Sequence, residues 1–174
     1  EEERVIDIRP HEKGERFEEL PMDKFAEHTR AFVKVEDGCN RRCAYCVIPR
    51  ARGPVRSRDE ASVLEELRRL ADAGYKEVVL TAISLPSYGT DSGTSLVELI
   101  EKAAEVPGIE RIRLGSLEPR IVTEDFCRAL AGFPNLCPQF HLSMQSGCDT
   151  VLQRMHRKYD TRRYYESVCL LRKF

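Results

Sequence analysis

Residues 31–46 read Ala31-Phe32-Val33-Lys34-Val35-Glu36-Asp37-Gly38-Cys39-Asn40-Arg41-Arg42-Cys43-Ala44-Tyr45-Cys46. The first five are rich in β-formers and predict a strand. A long loop follows, holding three cysteines and the punctuators Pro49, Gly53 and Pro54. A strand that runs straight into a ligand-rich loop is the start of an α/β unit, so the next question is whether the unit repeats.

It does. Beyond the loop, Ser57 or Asp59 can cap a helix running to about Asp72, whose apolar positions Val63, Leu64, Leu67, Leu70 and Ala71 fall on one helical stripe before Gly74 stops it. Residues 77–81 predict a second strand, with Val78-Val79-Leu80 as a continuous apolar run suited to burial on both faces. Leu96, Leu99, Ile100 and Ala103 predict a second helix, broken by Pro107-Gly108. Residues 111–115 predict a third strand, and Thr123 opens a third helix through Phe126, Ala129, Leu130 and Phe133. Residues 140–144 predict a fourth strand, and 149–157 and 161–173 two more helices. Strand, loop and helix thus recur about four times, which predicts a parallel sheet with right-handed crossovers. The fold class expected is α/β, either an open sheet or a partial (β/α) barrel, with an incomplete or truncated barrel favoured since four strands cannot close the usual ring of eight. In such folds the C-terminal ends of the strands share the ligand-bearing face. The cysteine loop, Ser84, Glu118 and Gln145 each follow a strand, so they form one candidate site.

The cysteines decide the chemistry. Cys39, Cys43 and Cys46 are separated by three and then two residues, which lets one short loop wrap three thiolates around a compact inorganic core. Soft thiolates select zinc or an iron–sulfur cluster. Structural zinc wants four closed ligands, and this loop offers no fourth Cys or His. Three ligands on a four-iron cube leave one iron open, as a catalytic metal requires. Zinc, or a cluster used only for electron transfer, remain as alternatives. The other four cysteines, Cys127, Cys137, Cys148 and Cys169, share no motif and read as small core residues. An odd total of seven argues against a disulfide framework.

Over 174 residues, 41% are hydrophobic and 33% charged, which fits one globular domain and excludes general disorder. A net charge of −1 gives no overall pull toward nucleic acid. No apolar stretch is long enough to span a bilayer and the charged N-terminus is unlike a signal peptide, so no membrane partner and a cytoplasmic location are expected. Residues 1–28 read as a linker or the remnant of an N-terminal domain, and 29–174 as the core, incomplete at its C-terminus.

The triplet matches the CxxxCxxC motif of the radical S-adenosylmethionine (SAM) superfamily, and the resemblance extends further. Asp37-Gly38-Cys39-Asn40, Cys46-Val47-Ile48-Pro49, Ala51-Arg52-Gly53 and Arg56-Ser57-Arg58 resemble the methylthiotransferase branch. So do Ser116-Leu117-Glu118-Pro119, His141-Leu142-Ser143-Met144-Gln145-Ser146-Gly147 and Met155-His156-Arg157-Lys158-Tyr159. The resemblance covers about residues 29–165 and points toward the bacterial enzymes acting on threonylcarbamoyladenosine in tRNA. It implies a [4Fe-4S] cluster on Cys39, Cys43 and Cys46, and SAM chelated by the open iron. Reductive cleavage would give a 5′-deoxyadenosyl radical, which takes a hydrogen from an adenosine next to the anticodon. It also implies a second [4Fe-4S] cluster on three cysteines of an N-terminal domain outside these residues, tRNA contacts from a C-terminal barrel domain, and a one-electron reductant such as flavodoxin or ferredoxin. On this reading the 174 residues alone cleave SAM but insert no sulfur. A methylthiotransferase acting on another tRNA adenosine or a ribosomal protein, and a non-catalytic metal-binding RNA module, are the rivals.

By the same resemblance Tyr45 lies by the SAM adenine, and Ala82 and Ser84 stand in the segment that lines the SAM amino group. That segment, Thr81-Ala82-Ile83-Ser84, departs from the family, which usually has Gly there; a Cβ at Ala82 would crowd the site if a positive φ were needed. Asp160 replaces a usual Thr. Glu118 and Gln145 are expected to bind SAM ribose or carboxylate, or else to cap the next helix or face solvent. Arg157 can pair with the SAM carboxylate or be solvated. Two basic groups, Arg41, Arg42, Arg50, Arg52, Arg56 and Arg58, then Arg154, Arg157, Lys158, Arg162 and Arg163, read either as phosphate-facing patches or as solvated charge. None of His11, His28, His141 and His156 reads as a metal ligand, and His141 reads as a core histidine.

Overall fold

The structure, a computed structural model, describes residues 9–19 and 29–174. The remainder of the expected N-terminal linker, His28 included, lies outside the described residues. Four strands form one sheet in the order β2-β1-β3-β4: β1 Ala31–Asp37, β2 Arg56–Ser57, β3 Glu77–Ala82 and β4 Arg111–Leu114. Strands β1, β3 and β4 are parallel, with Phe32 opposite Val79 and Val79 opposite Arg113. The helices between them are α2 Glu60–Asp72, α3 Leu96–Ala104 and α4 Glu124–Ala131, preceded by α1 Ile48–Ala51 and followed by α5 Asp149–Arg154 and α6 Thr161–Lys173. Among the described residues no helix is long and apolar enough to cross a membrane.

Local chemistry explains where the helices start. Asp59, rather than Ser57, caps α2 by accepting the Ser62 N–H, while Ser95 and Glu98 form a reciprocal capping box on α3. Thr123 caps α4. Asp160, the departure from the family pattern, caps α6 by accepting the Arg163 N–H at 2.7 Å. The core is built where the periodicity placed it: Val33, Val63, Leu67, Val78, Leu80, Leu99, Ile100 and Ile112 are wholly buried between the sheet and its helices.

Several expectations are corrected. The cysteine loop is not plain loop, since Ile48–Ala51 forms the short α1. The sheet is not wholly parallel, because the chain leaves the loop through β2, which pairs antiparallel to β1. Burial on both faces fails at Val79, which is only half-buried while Val78 and Leu80 are enclosed. The second face carries charge instead: Glu77 holds Arg111 and Arg113 at 2.6 and 2.7 Å. The fourth strand, 140–144, is reduced to one parallel bridge, Leu117 to Leu142, with another from Ile112 to Leu136. The two bridges are five positions apart on one side and six on the other, so the ladder cannot run unbroken between them. Pro138, lacking an N–H, lies in the gap. The predicted helix 149–157 ends at Arg154. His141 is exposed rather than core, because no continuous strand encloses it; its ring bonds Ser116 Oγ at 2.8 Å. Cys127 and Cys137 are buried as expected, but Cys148 and Cys169 are exposed.

A bulge positions the site. The β1–β3 register shifts between Lys34 and Glu36, so Val35, Glu36 and Asp37 are buried in succession where alternation would expose one.

Candidate functional site

Residues 38–55 leave β1 and return as β2, an excursion closed at its neck. Cys39 N–H donates to Gly53 O at 3.0 Å, and Val55 N–H to Asn40 Oδ1 at 3.2 Å. Asp37 anchors the neck: its carboxylate accepts the Gly38 N–H at 2.7 Å and Lys34 Nζ at 2.6 Å, with Arg52 at 3.3 Å. Burial opposes its charge, but these donors outweigh burial and hold the carboxyl below its ordinary value. Gly38 turns the chain with φ of +83° directly against Pro54.

The loop's three cysteines are half-buried and border one cleft of about 160 Å³. Ser84, Ser116, Glu118, Ser143 and Gln145 border it too, arriving from the ends of β3, β4 and the 136–142 segment. The strand ends therefore bring residues distant in sequence to one place. Burial pushes the Cys39 thiol above its ordinary value, offset in part by the Arg41 N–H that donates to its Sγ at 3.4 Å. Among the described residues, no three His, Cys, Asp or Glu side chains converge on a single ion. Thiolates that each take a separate iron of a cube need not converge on one point, and three soft donors with no fourth fit a [4Fe-4S] cluster with one open corner.

Tyr45 is 52% exposed, and its hydroxyl donates to Gln145 Oε1 at 2.9 Å. Arg157 donates to the same hydroxyl and lies over the rings of Tyr45 and Tyr159, at 5.6 and 5.9 Å. It is therefore half-buried and engaged, not solvated at a helix end. Gln145 and His156 are the non-glycine residues with positive φ among those described, +66° and +58°, and Gln145 borders this cleft. Glu118 neither caps a helix nor meets solvent: it is 4% exposed, and its carboxylate pairs with Arg41 and with Arg120, the latter at 2.7 Å. Ser84 is buried and its hydroxyl bonds Ser87. Ala82 ends β3 with ordinary strand backbone and packs on the core rather than bordering the cleft, so its Cβ is not crowded by a left-handed turn. Of the basic groups, Arg41, Arg52, Arg56 and Arg58 are spent on Glu118, Asp37 and Glu66, and Arg162 on Glu166.

Glu36 was not anticipated. It is fully buried and accepts the Ser84 N–H at 2.8 Å through Oε2, while Oε1 has no partner. A carboxylate two residues ahead of the loop glycine, closing an apolar strand, was the available signal. Burial raises its pKa from 4.5 to about 7. Between those values the folded protein keeps a proton that the unfolded chain has lost. This group's contribution to stability is therefore whole below 4.5 and falls as the pH rises through 7. Glu36→Gln, which cannot ionise, is expected to match the parent at pH 4 and to exceed its unfolding free energy at pH 8 by about 3 kcal/mol. Urea unfolding at both values checks this; equal stability at pH 8 refutes the buried-acid assignment.

Comparison with known proteins follows this geometry. The sequence model of the Radical SAM superfamily matches residues 33–174. A threonylcarbamoyladenosine tRNA methylthiotransferase of Chlamydia pneumoniae is 45% identical over 143 residues, 82% of this chain and 34% of that protein. Its Thermotoga maritima counterpart is 43% identical over 85% of this chain and 34% of that one. A tRNA-2-methylthio-N(6)-dimethylallyladenosine synthase of Oleidesulfovibrio alaskensis is 41% identical over 82% of this chain and 31% of its own. The chain thus spans about a third of the length of the curated relatives it matches. Among solved structures, the radical SAM methyltransferase TsrM of Kitasatospora setae, with cobalamin and a [4Fe-4S] cluster bound, superposes with a TM-score of 0.65 at 21% identity, covering 82% of this chain and 28% of that one.

Proposed function

Because the chain belongs to the radical SAM superfamily, whose members use a [4Fe-4S] cluster and SAM, we propose that it is the core of a tRNA methylthiotransferase acting on a threonylcarbamoyl-modified adenosine next to the anticodon. The observation that carries this is the shared cleft: three thiols of one loop beside polar groups from successive strand ends. The relatives at 45 and 43% identity support the substrate. A second substrate, a dimethylallyl-modified adenosine, draws support from the 41% relative. On this reading the tRNA, a one-electron reductant and a second [4Fe-4S] cluster complete the reaction with parts beyond these residues, in the cytoplasm.

When bound, the cluster and SAM supply a one-electron reductive cleavage that yields a carbon radical able to take hydrogen from an inert C–H bond. Cys39, Cys43 and Cys46 would hold three irons of the cluster as thiolates. Tyr45 offers a ring face to the adenine, its hydroxyl fixed by Gln145 and Arg157. Arg157 places a positive charge beside Cys43 and can share it with a carboxylate, the planar guanidinium being suited to bidentate contact. Ile83 and Ser84 border the cleft just after Ala82 and would line the SAM amino group, and Glu36 holds that turn by accepting the Ser84 N–H. Glu118, neutralised by two arginines, closes the cleft floor and keeps Arg41 in place.

Mass spectrometry of tRNA nucleosides from cells lacking the gene tests the reading. The methylthio group should vanish from threonylcarbamoyladenosine and stay on dimethylallyladenosine. Loss from the second nucleoside alone assigns the other substrate, and loss from a ribosomal-protein peptide with both nucleosides intact refutes a tRNA enzyme.

A further inference from the structure

Cys43, Tyr45 and Cys46 border two hollows at once. Their neighbours divide between them: Arg41 and Ile48 turn into the cleft just described, while Arg42, Val47 and Arg50 line a second hollow of about 700 Å³. The loop therefore divides the two hollows, and Cys43 and Cys46 border both sides of it.

The second hollow has its own chemistry. Arg42 and Arg50 are exposed, and among the described residues neither guanidinium has an ion-pair or hydrogen-bond partner, unlike Arg41, Arg52, Arg56 and Arg58 of the same sequence cluster. His156 completes the rim, and no acidic side chain among the described residues lines this hollow. An adjoining depression shares Arg42, Cys43 and His156 and adds Lys158 and Arg120; its one acid, Glu118, is buried and already paired. Val47, which also lines this hollow, is 65% exposed. Unpaired cationic side chains beside an exposed apolar one are the make-up of a transient protein-docking surface.

We infer that this hollow docks an acidic one-electron carrier, a small flavin or iron–sulfur protein. The inference rests on the cysteines holding a cluster. One electron leaves the carrier's reduced centre and enters the cluster through the Cys43 and Cys46 side of the loop. The carrier is oxidised by one electron, the cluster is reduced by one, and no atom or proton need cross. A nucleic acid substrate is less suited here, because its reacting base must reach the cleft on the Ser84 and Gln145 side. A donor needs only proximity to the thiolates, and unpaired arginines speed the encounter by long-range attraction.

The double variant Arg42→Glu/Arg50→Glu tests this in the reconstituted protein, with reduced flavodoxin or with dithionite as electron source. Flavodoxin-driven SAM cleavage, and flavodoxin binding measured by calorimetry, should each fall about tenfold or more at low ionic strength, and the deficit should shrink with added salt. Dithionite-driven cleavage should be unchanged. Equal flavodoxin-driven rates and affinities in variant and parent overturn the proposal. So does a variant that loses tRNA in a gel-shift assay but keeps flavodoxin-driven cleavage, which assigns the hollow to RNA. If dithionite yields no cleavage in the parent, the radical SAM reading of the site fails instead, and the calorimetric comparison still decides the docking surface.

Discussion

Cys39→Ser, Cys43→Ser and Cys46→Ser are each expected to abolish SAM cleavage, by more than ~100-fold, and to leave the reconstituted protein with little iron. The hydroxyl of serine is a hard, poorly acidic donor, whereas iron–sulfur clusters are held by soft thiolates. With three ligands and no fourth donor, losing one leaves a two-point attachment. Folding should survive, because the three cysteines are half-buried members of an excursion rather than of the core formed by Val33, Leu67, Leu80 and Ile100. Circular dichroism should therefore match the parent while iron content and absorbance fall. Cys148→Ser, at an exposed position, is the control and should keep its iron. A serine variant at any of the three positions that retains four irons and full SAM cleavage overturns the assignment. One zinc per chain after purification with metal supports the binding-module rival.

Gly38→Ala should be severely damaging for so small a substitution. A Cβ there would stand 1.9 Å from Pro54 O and 2.6 Å from Pro54 C, both backbone atoms, at a φ of +83°. The left-handed backbone alone costs about 1–2 kcal/mol for a residue with a Cβ. The collision cannot be relieved by a side-chain rotation, and the neighbours are pinned: Asp37 by Lys34 and Arg52, and Cys39 by its bond to Gly53 O. A loss above ~3 kcal/mol is expected, or else a displaced neck that separates Cys39 from Cys43 and Cys46 and empties the site of iron. Gly74→Ala is the matched comparison. Its φ is +93°, but nothing lies within 4 Å of the added carbon, so only the conformational cost remains. Urea unfolding and iron content of the two variants separate close approach from backbone strain. If Gly38→Ala costs no more than Gly74→Ala, the neck is not sterically closed.

Much of the fold was legible because its determinants are local. The strand at 31–37, the capped helix 60–72 and the stripe Leu96, Leu99, Ile100, Ala103 follow from side-chain periodicity and capping groups within a few residues. The exceptions have long-range causes. Val79 reads as doubly buried, yet its second face meets a charged layer centred on Glu77. Residues 140–144 have the composition of a strand, but the register offset between the Ile112 and Leu117 bridges denies them a continuous partner. His141 then follows that segment into solvent.

The site divides in the same way. The sequence by itself determined the donor set: three thiols in one loop after a strand, soft donors of the kind that hold zinc or an iron–sulfur cluster. Spacing and softness are properties of the chain and need no partner. Only the tertiary structure decided which polar groups meet those thiols. Tyr45 finds Gln145 a hundred residues away and Arg157 beyond it. Glu118 is claimed by Arg41, the Arg42 and Arg50 guanidiniums find no partner among the described residues, and a bulge buries Glu36 behind Ser84. Burial and pairing depend on what the rest of the chain brings alongside, and local pattern carries no record of that.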